Sequence, residues 1–207
     1  MVTRTSSSPE RSGRTRAVDV ERVLLEAAHR LLEREGADAL TVRRVATEAG
    51  VAPMGLYHRF GGKDGLVNAL FVDGFERLAR ALRDRPMGNA LEELHAGCVQ
   101  YRAFALANRA LYSVMFDRIV PGLEVGPRGR EACMLSFDVL IDGVRRAQAS
   151  GDLRDGDPIE FAQQVWTTCH GAVSIELRDL GFVEDRAAHF DRLIWTIIAG
   201  LRATPTR

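Results

Sequence analysis

Two pairs of residues in this 207-residue chain have the types needed for covalent or metal chemistry. Cys169 and His170 set a thiol beside a base, the material of nucleophilic catalysis, and His95 and Cys98, three apart, are two ligands of the kind that bind zinc. Neither pair suffices. Adjacent residues of a helix point about 100° apart, which separates a thiol from its base, and two ligands without a third or fourth do not hold zinc. No Cys/His metal spacing and no glycine-rich phosphate loop occurs elsewhere, so no catalysis, metal or cofactor is expected.

A different chemistry is concentrated near the N-terminus. Thr41, Arg43, Arg44, Tyr57, His58 and Lys63 supply hydroxyl, guanidinium, imidazole and ammonium groups, the set that binds phosphate oxygens. Arg43 and Arg44 fall in the first turn of a helix opened by Thr41, where the helix dipole disfavours cations and a capping box would place Glu at position 44. A nearby polyanion reverses that penalty. Charge agrees: residues 1–63 carry 11 basic against 8 acidic groups, while the formal net charge of the whole chain is zero. The arginines Arg4, Arg11, Arg14 and Arg16 sit in a stretch, residues 1–17, with almost nothing apolar. It is expected to be a disordered basic tail, either following a polyanion's backbone or only aiding solubility.

The elements that must position these groups are helical. Val20, Val23, Leu24, Ala27, Ala28, Leu31 and Leu32 form one stripe at helical period, ended by Gly36. Thr41 caps a short second helix with Val42, Val45, Ala46 and Ala49 on one side and Gly50 as its stop. Pro53 suits the first turn of a third, from Pro53 to about Arg59; Gly61-Gly62 breaks it, and a fourth begins near Lys63. Two short helices joined by Gly50-Val51-Ala52 behind a longer packing helix have the organisation of a helix-turn-helix. Further helices are predicted at about 89–107, 109–118, 129–150, 158–180 and 185–203, and no strand pattern occurs.

The segment TVRRVATEAGVAPMGLYHRFGGKDGLVNAL resembles the N-terminal signature of the TetR (TetR/AcrR) regulators. The resemblance covers roughly residues 18–72 and is carried by Thr41, Ala46, Ala49-Gly50-Val51, Leu56-Tyr57, Phe60 and Lys63. It implies that Thr41, Tyr57, His58 and Lys63 hold phosphates of double-stranded DNA. Ala52, Pro53, Met54 and Gly55 would then meet base edges in the major groove, Arg43 or Arg44 would add a contact, and Leu56 and Phe60 would be core. Gly55 departs from the pattern, which often has Thr there; Gly costs about 1 kcal/mol relative to Ala inside a helix. That departure supports the rival reading, a helical small-molecule-binding or adaptor protein that has lost sequence-specific DNA binding.

The implied fold is all-α with about nine helices. A tail at 1–17 precedes a helix-turn-helix domain at 18–72 and a helical effector-binding and dimerisation domain at 73–207. Trp166-Thr167-Thr168-Cys169-His170-Gly171 resembles a Trp-x-x-x-His-Gly pattern of one branch of these regulators. Tyr101, Phe104, Tyr112, Met115, Phe116, Phe137, Trp166 and His170 are candidate walls of a pocket for a hydrophobic small molecule. For His170 a hydrogen-bonded place in the core is the favoured role, contact with a ligand the alternative. A homodimer on a palindromic operator, released by ligand, would pair through the last two helices. Their candidate stripes are Ala162, Val165, Trp166, Cys169, Val173 and Leu177, and Phe190, Leu193, Ile194, Ile197, Ile198 and Leu201.

Composition is ordinary for a soluble globular protein, with 46% apolar and 27% charged residues. No apolar run approaches the length of a membrane span, and residues 1–16 lack the apolar centre of a signal peptide, so a cytoplasmic location without membrane contact is expected. Three widely spaced cysteines are expected to remain reduced.

Overall fold

The computed structural model describes residues 9–84, 88–117 and 125–203, with side chains from residue 19 onward. Nine α-helices and one short 3-10 turn account for nearly all of these residues, and no strand occurs among them. α1 (Pro9–Glu35) is followed by the 3-10 turn Ala37–Ala39, α2 (Val42–Ala49), α3 (Pro53–Phe60) and α4 (Lys63–Arg83). α5 (Ala90–Ala107), α6 (Arg109–Phe116), α7 (Pro127–Ala149), α8 (Pro158–Leu177) and α9 (Arg186–Leu201) complete the chain.

α1 starts at Pro9, inside the stretch expected to be a tail. Proline fits a first turn because the N–H it lacks would be unpaired there anyway. The side chains of Arg11, Arg14 and Arg16, and all of Arg4, lie outside the described residues. The other boundaries follow local chemistry. Asn89, Asp157 and Asp185 cap α5, α8 and α9 by accepting hydrogen bonds from backbone N–H groups of the first turn.

α1 packs on α2, α3 and α4 through Leu24, Ala27, Ala28, Leu31 and Leu32, all buried. Leu40, Val45, Leu56, Leu66 and Leu70 close this N-terminal core, and burying each leucine is worth about 2 kcal/mol. α4 is continuous through residue 72, the boundary expected between domains. Its first half belongs to the N-terminal core, while Phe71, Phe75, Leu78 and Leu82 face a cavity in the C-terminal half. α7 lies along α4, flanked by α5 and α8, and α9 packs on α8 and α5.

α1 and α4 are also joined by His29, whose Nε2 lies 2.6 Å from Asp73 Oδ2. Arg77 reaches the same oxygen at 2.6 Å. Burial works to raise the Asp73 carboxyl, but the hydrogen bond from His29 and the charge of Arg77 outweigh it and hold the group below its ordinary value. Among the described residues no helix is long and apolar enough to cross a membrane.

Candidate nucleic-acid interface and ligand cavity

The junction between α2 and α3 is set by short-range bonds. Thr41 Oγ1 accepts from the Arg44 N–H at 3.3 Å and opens α2. Gly50 closes it in the left-handed region, φ 66, with the Val51 N–H donating to the Ala46 carbonyl at 2.9 Å. Pro53 then starts α3. Leu56 is fully buried and Phe60 packs half-buried on the core, so one face of α3 is pinned and the other is displayed. Ala52, Pro53, Met54, Tyr57 and His58 are all exposed, Met54 at 61% and Tyr57 at 51%.

Three glycines decide how α3 is held. Gly61 ends it with φ 71. At Gly65, in the first turn of α4, an added Cβ would stand 1.6 Å from the Phe60 carbonyl oxygen, so only glycine lets α4 close on the end of α3. At Gly55 a Cβ would stand 2.8 Å from Cγ1 of Val51, so a larger residue there requires the Val51 side chain to shift. The ring of Tyr57 lies beside Gly62, where an added Cβ would be 3.8 Å from its Cε1. Tyr57 therefore neighbours the start of α4, which carries the exposed Lys63.

The expected pair Arg43 and Arg44 divides. Arg44 is hydrogen-bonded to Glu35, and Arg34 and Arg30 both bridge to Glu48 at 3.1 Å. Arg44 holds the Glu35 carboxyl below its ordinary value, and Arg34 does the same to Glu48. Arg43 and Lys63 are exposed and have no ion-pair partner among the described residues.

The second site is a half-open cavity of about 350 Å³ lined by α4, α5, α7 and α8, with Met115 and Phe116 entering from α6. Of the eight candidate wall residues, Tyr101, Met115, Phe116, Phe137 and Trp166 line it. Phe104, Tyr112 and His170 do not belong to its lining. Phe104 is packed in the core. The other two are engaged with each other: Tyr112 Oη lies 2.7 Å from His170 Nδ1, Tyr101 Oη 3.0 Å from the same nitrogen, and the two hydroxyls are 2.8 Å apart.

Those three distances fit a neutral imidazole. They are satisfied when the two hydroxyls bond each other, Nδ1 accepts from a tyrosine hydroxyl, and the proton of His170 sits on Nε2, 3.4 Å from Ser174 Oγ. Burial lowers the pKa of His170 and so favours that neutral form. Burial also raises both phenols, Tyr112 to about 12 and Tyr101 further. His170 thus occupies a hydrogen-bonded place behind the cavity wall.

Sequence reasoning missed the cavity's one charged lining residue among those described, Glu93, together with Gln163 and the three cysteines. Glu93, Gly97 and Tyr101 recur every four residues on α5, which is the signal that could have found it. Its neighbour Glu92 is exposed, and two glutamates at a helix start look like ordinary solvated dipole partners. The Cys169 thiol is pushed well up by its hydrogen bond with Cys98 and by burial, and burial raises Cys133 to about 11. His95 and Cys98 diverge: His95 Nε2 lies 2.8 Å from Asp191 and its ring stacks on Trp195, while Cys98 faces the cavity.

The two stripes expected to pair protomers need correction. Ala162, Val165, Cys169 and Val173 are buried within one protomer, as are Phe190, Ile194, Ile198 and Leu201. Their periodicity marks the contact of α8 with α9 and with α5, because the most continuous apolar face of a helix is the one its own chain covers first. What α8 and α9 expose is less apolar: Gln163, Thr167 and Ile175, and Arg192, Trp195, Thr196 and Ala199.

Residues 24–70 match the model of the bacterial regulatory proteins of the tetR family, and residues 94–197 match that of the tetracyclin repressor-like C-terminal domain. The HTH-type transcriptional regulator Rv1816 of Mycobacterium tuberculosis is 26% identical over 145 residues, which is 68% of this chain and 62% of that protein. The chain thus spans less than two thirds of the length of this curated relative. The HTH-type transcriptional regulator BetI of Brucella canis is 41% identical over 61 residues, 30% of this chain and 31% of its own. A solved Rhodococcus protein of unknown function superposes with a TM-score of 0.75 at 30% identity, covering 89% of this chain and 96% of that one. The TetR family transcriptional regulator PfmR of Thermus thermophilus, at 19% identity and a TM-score of 0.62, shares the fold, covering 87% and 99%. With a helix-turn-helix displayed in one half, a cavity in the other and both halves matched, the chain belongs to the TetR family of transcription regulators.

Proposed function

We propose that this protein is a ligand-released repressor that binds a palindromic operator in the cytoplasm as a homodimer. The observation that carries the reading is the display of α3: Leu56 anchors one face while Ala52, Pro53, Met54 and the half-exposed Gly55 lead the other. Thr41, Arg43, Tyr57, His58 and Lys63 serve as phosphate contacts, with Arg43 favoured over Arg44 because Glu35 already compensates the latter. The leading surface offers few donors, so base reading leans on thymine methyls and groove shape.

One such unit reads only a few base pairs, and a second copy doubles the site. The outward faces of α8 and α9 are the surface for pairing. Gly171 and Gly200 have open space around an added Cβ, which lets backbones approach closely. The coupling to ligand is a population shift: an occupied cavity favours a conformation whose two α3 helices are wrongly spaced, transmitted by α4, which is shared by both halves. The adaptor reading rested on Gly55, whose place against Val51 supplies a packing reason for that residue instead.

The test is an operator titration. DNA fragments are selected from a random pool, and binding of the selected sequence is followed across salt concentrations. Lys63→Ala should lower the slope of log K against log salt by about 1, and Tyr57→Phe should weaken binding at every salt. Gly171→Arg should convert a dimer to monomers in sedimentation while the helical content is kept. Equal affinity for all DNA sequences, or a monomeric parent protein, would sink the proposal.

A further inference from the structure

We propose that Glu93 anchors the effector, and that the effector is an apolar molecule carrying a protonated amine. This deepens the reading of the cavity as an effector site and rests on it. The cavity wall is aromatic and aliphatic apart from a few polar groups, several of them already satisfied: Ser136 Oγ donates to the Cys133 carbonyl, and the Tyr101 hydroxyl is held by Tyr112 and His170.

Glu93 is different. The residue is only 5% exposed, and its Oε1 accepts from the Gly88 N–H at 3.1 Å. Its Oε2 is buried without a hydrogen-bond partner among the described residues. Arg146 Nε stands 3.3 Å from that oxygen but is not aligned to donate to it, and the arginine side chain is 45% exposed, approaching from the solvent side. An acceptor with unused lone pairs, removed from water inside an apolar chamber, calls for a donor, and a charged donor makes the stronger bond.

An ammonium group is compact, carries three donors and is tolerated by aromatic faces such as those of Phe71 and Phe75. A carboxylate ligand would meet like charge in a poorly screened space, and a neutral alcohol would supply one uncharged donor. The remainder of the chamber, from Leu94 to Trp166, accepts the apolar tail.

The experiment is calorimetric titration of the full-length protein with n-octylamine, 1-octanol and octanoate. The amine should bind about tenfold tighter than the alcohol, the size of one charge-assisted hydrogen bond, and octanoate weakest of the three. Glu93→Gln, close in shape, should erase the amine's advantage and leave the alcohol unchanged. Arg146→Gln, at a half-exposed position that does not threaten the fold, should widen the advantage by removing the competing cation. Should Glu93→Gln melt without cooperativity, the Arg146→Gln titration decides the matter. Octanoate binding as tightly as the amine, or an amine advantage that neither variant moves, overturns the role of Glu93 while alcohol binding leaves the cavity reading intact. Failure of all three probes to bind removes the cavity reading and this inference together.

Discussion

The two candidate sites are built by opposite means. The N-terminal one displays: its polar groups stand on the surface, and each is aimed by bonds within a few residues of itself, Thr41 by the cap of α2, Tyr57 by the Gly61-Gly62 break, Lys63 by the start of α4. The C-terminal one surrounds a half-open cavity. Its walls come from five successive helices, α4 to α8, and no single turn determines where Phe71, Tyr101, Phe116, Phe137 and Trp166 meet. A displayed site should therefore be fragile at its junctions and tolerant on its surface, whereas a cavity should tolerate small changes in its wall and respond to the polar groups behind it.

The same substitution made in both regions tests that contrast most severely. Gly65→Ala would drive a Cβ to 1.6 Å from a backbone oxygen, and no side-chain rotation relieves a clash with backbone. We expect a loss of about 4 kcal/mol or more in urea unfolding, with α3 torn from α4 and DNA binding abolished. Gly97→Ala, in the cavity wall, meets nothing within 4 Å. It should stabilise the protein by up to about 1 kcal/mol through helix propensity while narrowing the cavity. Equal losses for the two variants would break the comparison.

That asymmetry also explains what could be read from the chain beforehand. Thr41, Gly50, Pro53 and Gly61 are punctuation, and punctuation acts over four or five residues, so the limits of α2 and α3 follow from the sequence almost unaided. Gly65 gives no such signal because its reason lies in another helix's carbonyl. The aromatic residues of the cavity were half legible: Tyr101, Phe116 and Trp166 are large and apolar, as a wall requires, but so are Phe104 and Tyr112, which lie in core and network. Hydrophobic period tells which face is buried and not against what. The same limit misassigned the stripes of α8 and α9, whose inward faces are the more regular ones.

A smaller effect probes the network behind the wall. Tyr112→Phe removes the hydroxyl that reaches the half-buried His170 Nδ1 at 2.7 Å and the buried Tyr101 hydroxyl at 2.8 Å. The tyrosine is 3% exposed, so water cannot replace the lost partner without entering the core. A loss of about 1 to 1.5 kcal/mol is expected in unfolding, with ligand affinity changed less than stability, because Tyr112 is not itself in the lining. Ligand binding falling further than stability would move Tyr112 into the effector site and blur the line between wall and support.

The smallest effect is a difference in how the two regions meet acid. His170 has its pKa lowered by burial, so the unfolded chain binds a proton before the folded one as pH falls below 6.5. Its contribution is present above that value and is lost on the way down through the folded pKa. Protonation also turns Nδ1 from acceptor into donor against two hydroxyls. In the N-terminal half the depressed groups are carboxyls, Asp73, Glu35 and Glu48, with ordinary values of 3.8, 4.5 and 4.5. Their contribution persists through mild acid and is lost only as pH falls from those values through the lower folded ones. As pH falls below 6.5 the fluorescence of Trp166, against the His170 ring at 5.3 Å, should therefore shift before any loss of helix is detected. His170→Gln should flatten that shift. Simultaneous change in both regions, or a shift that survives the substitution, would show that the two sites do not respond separately.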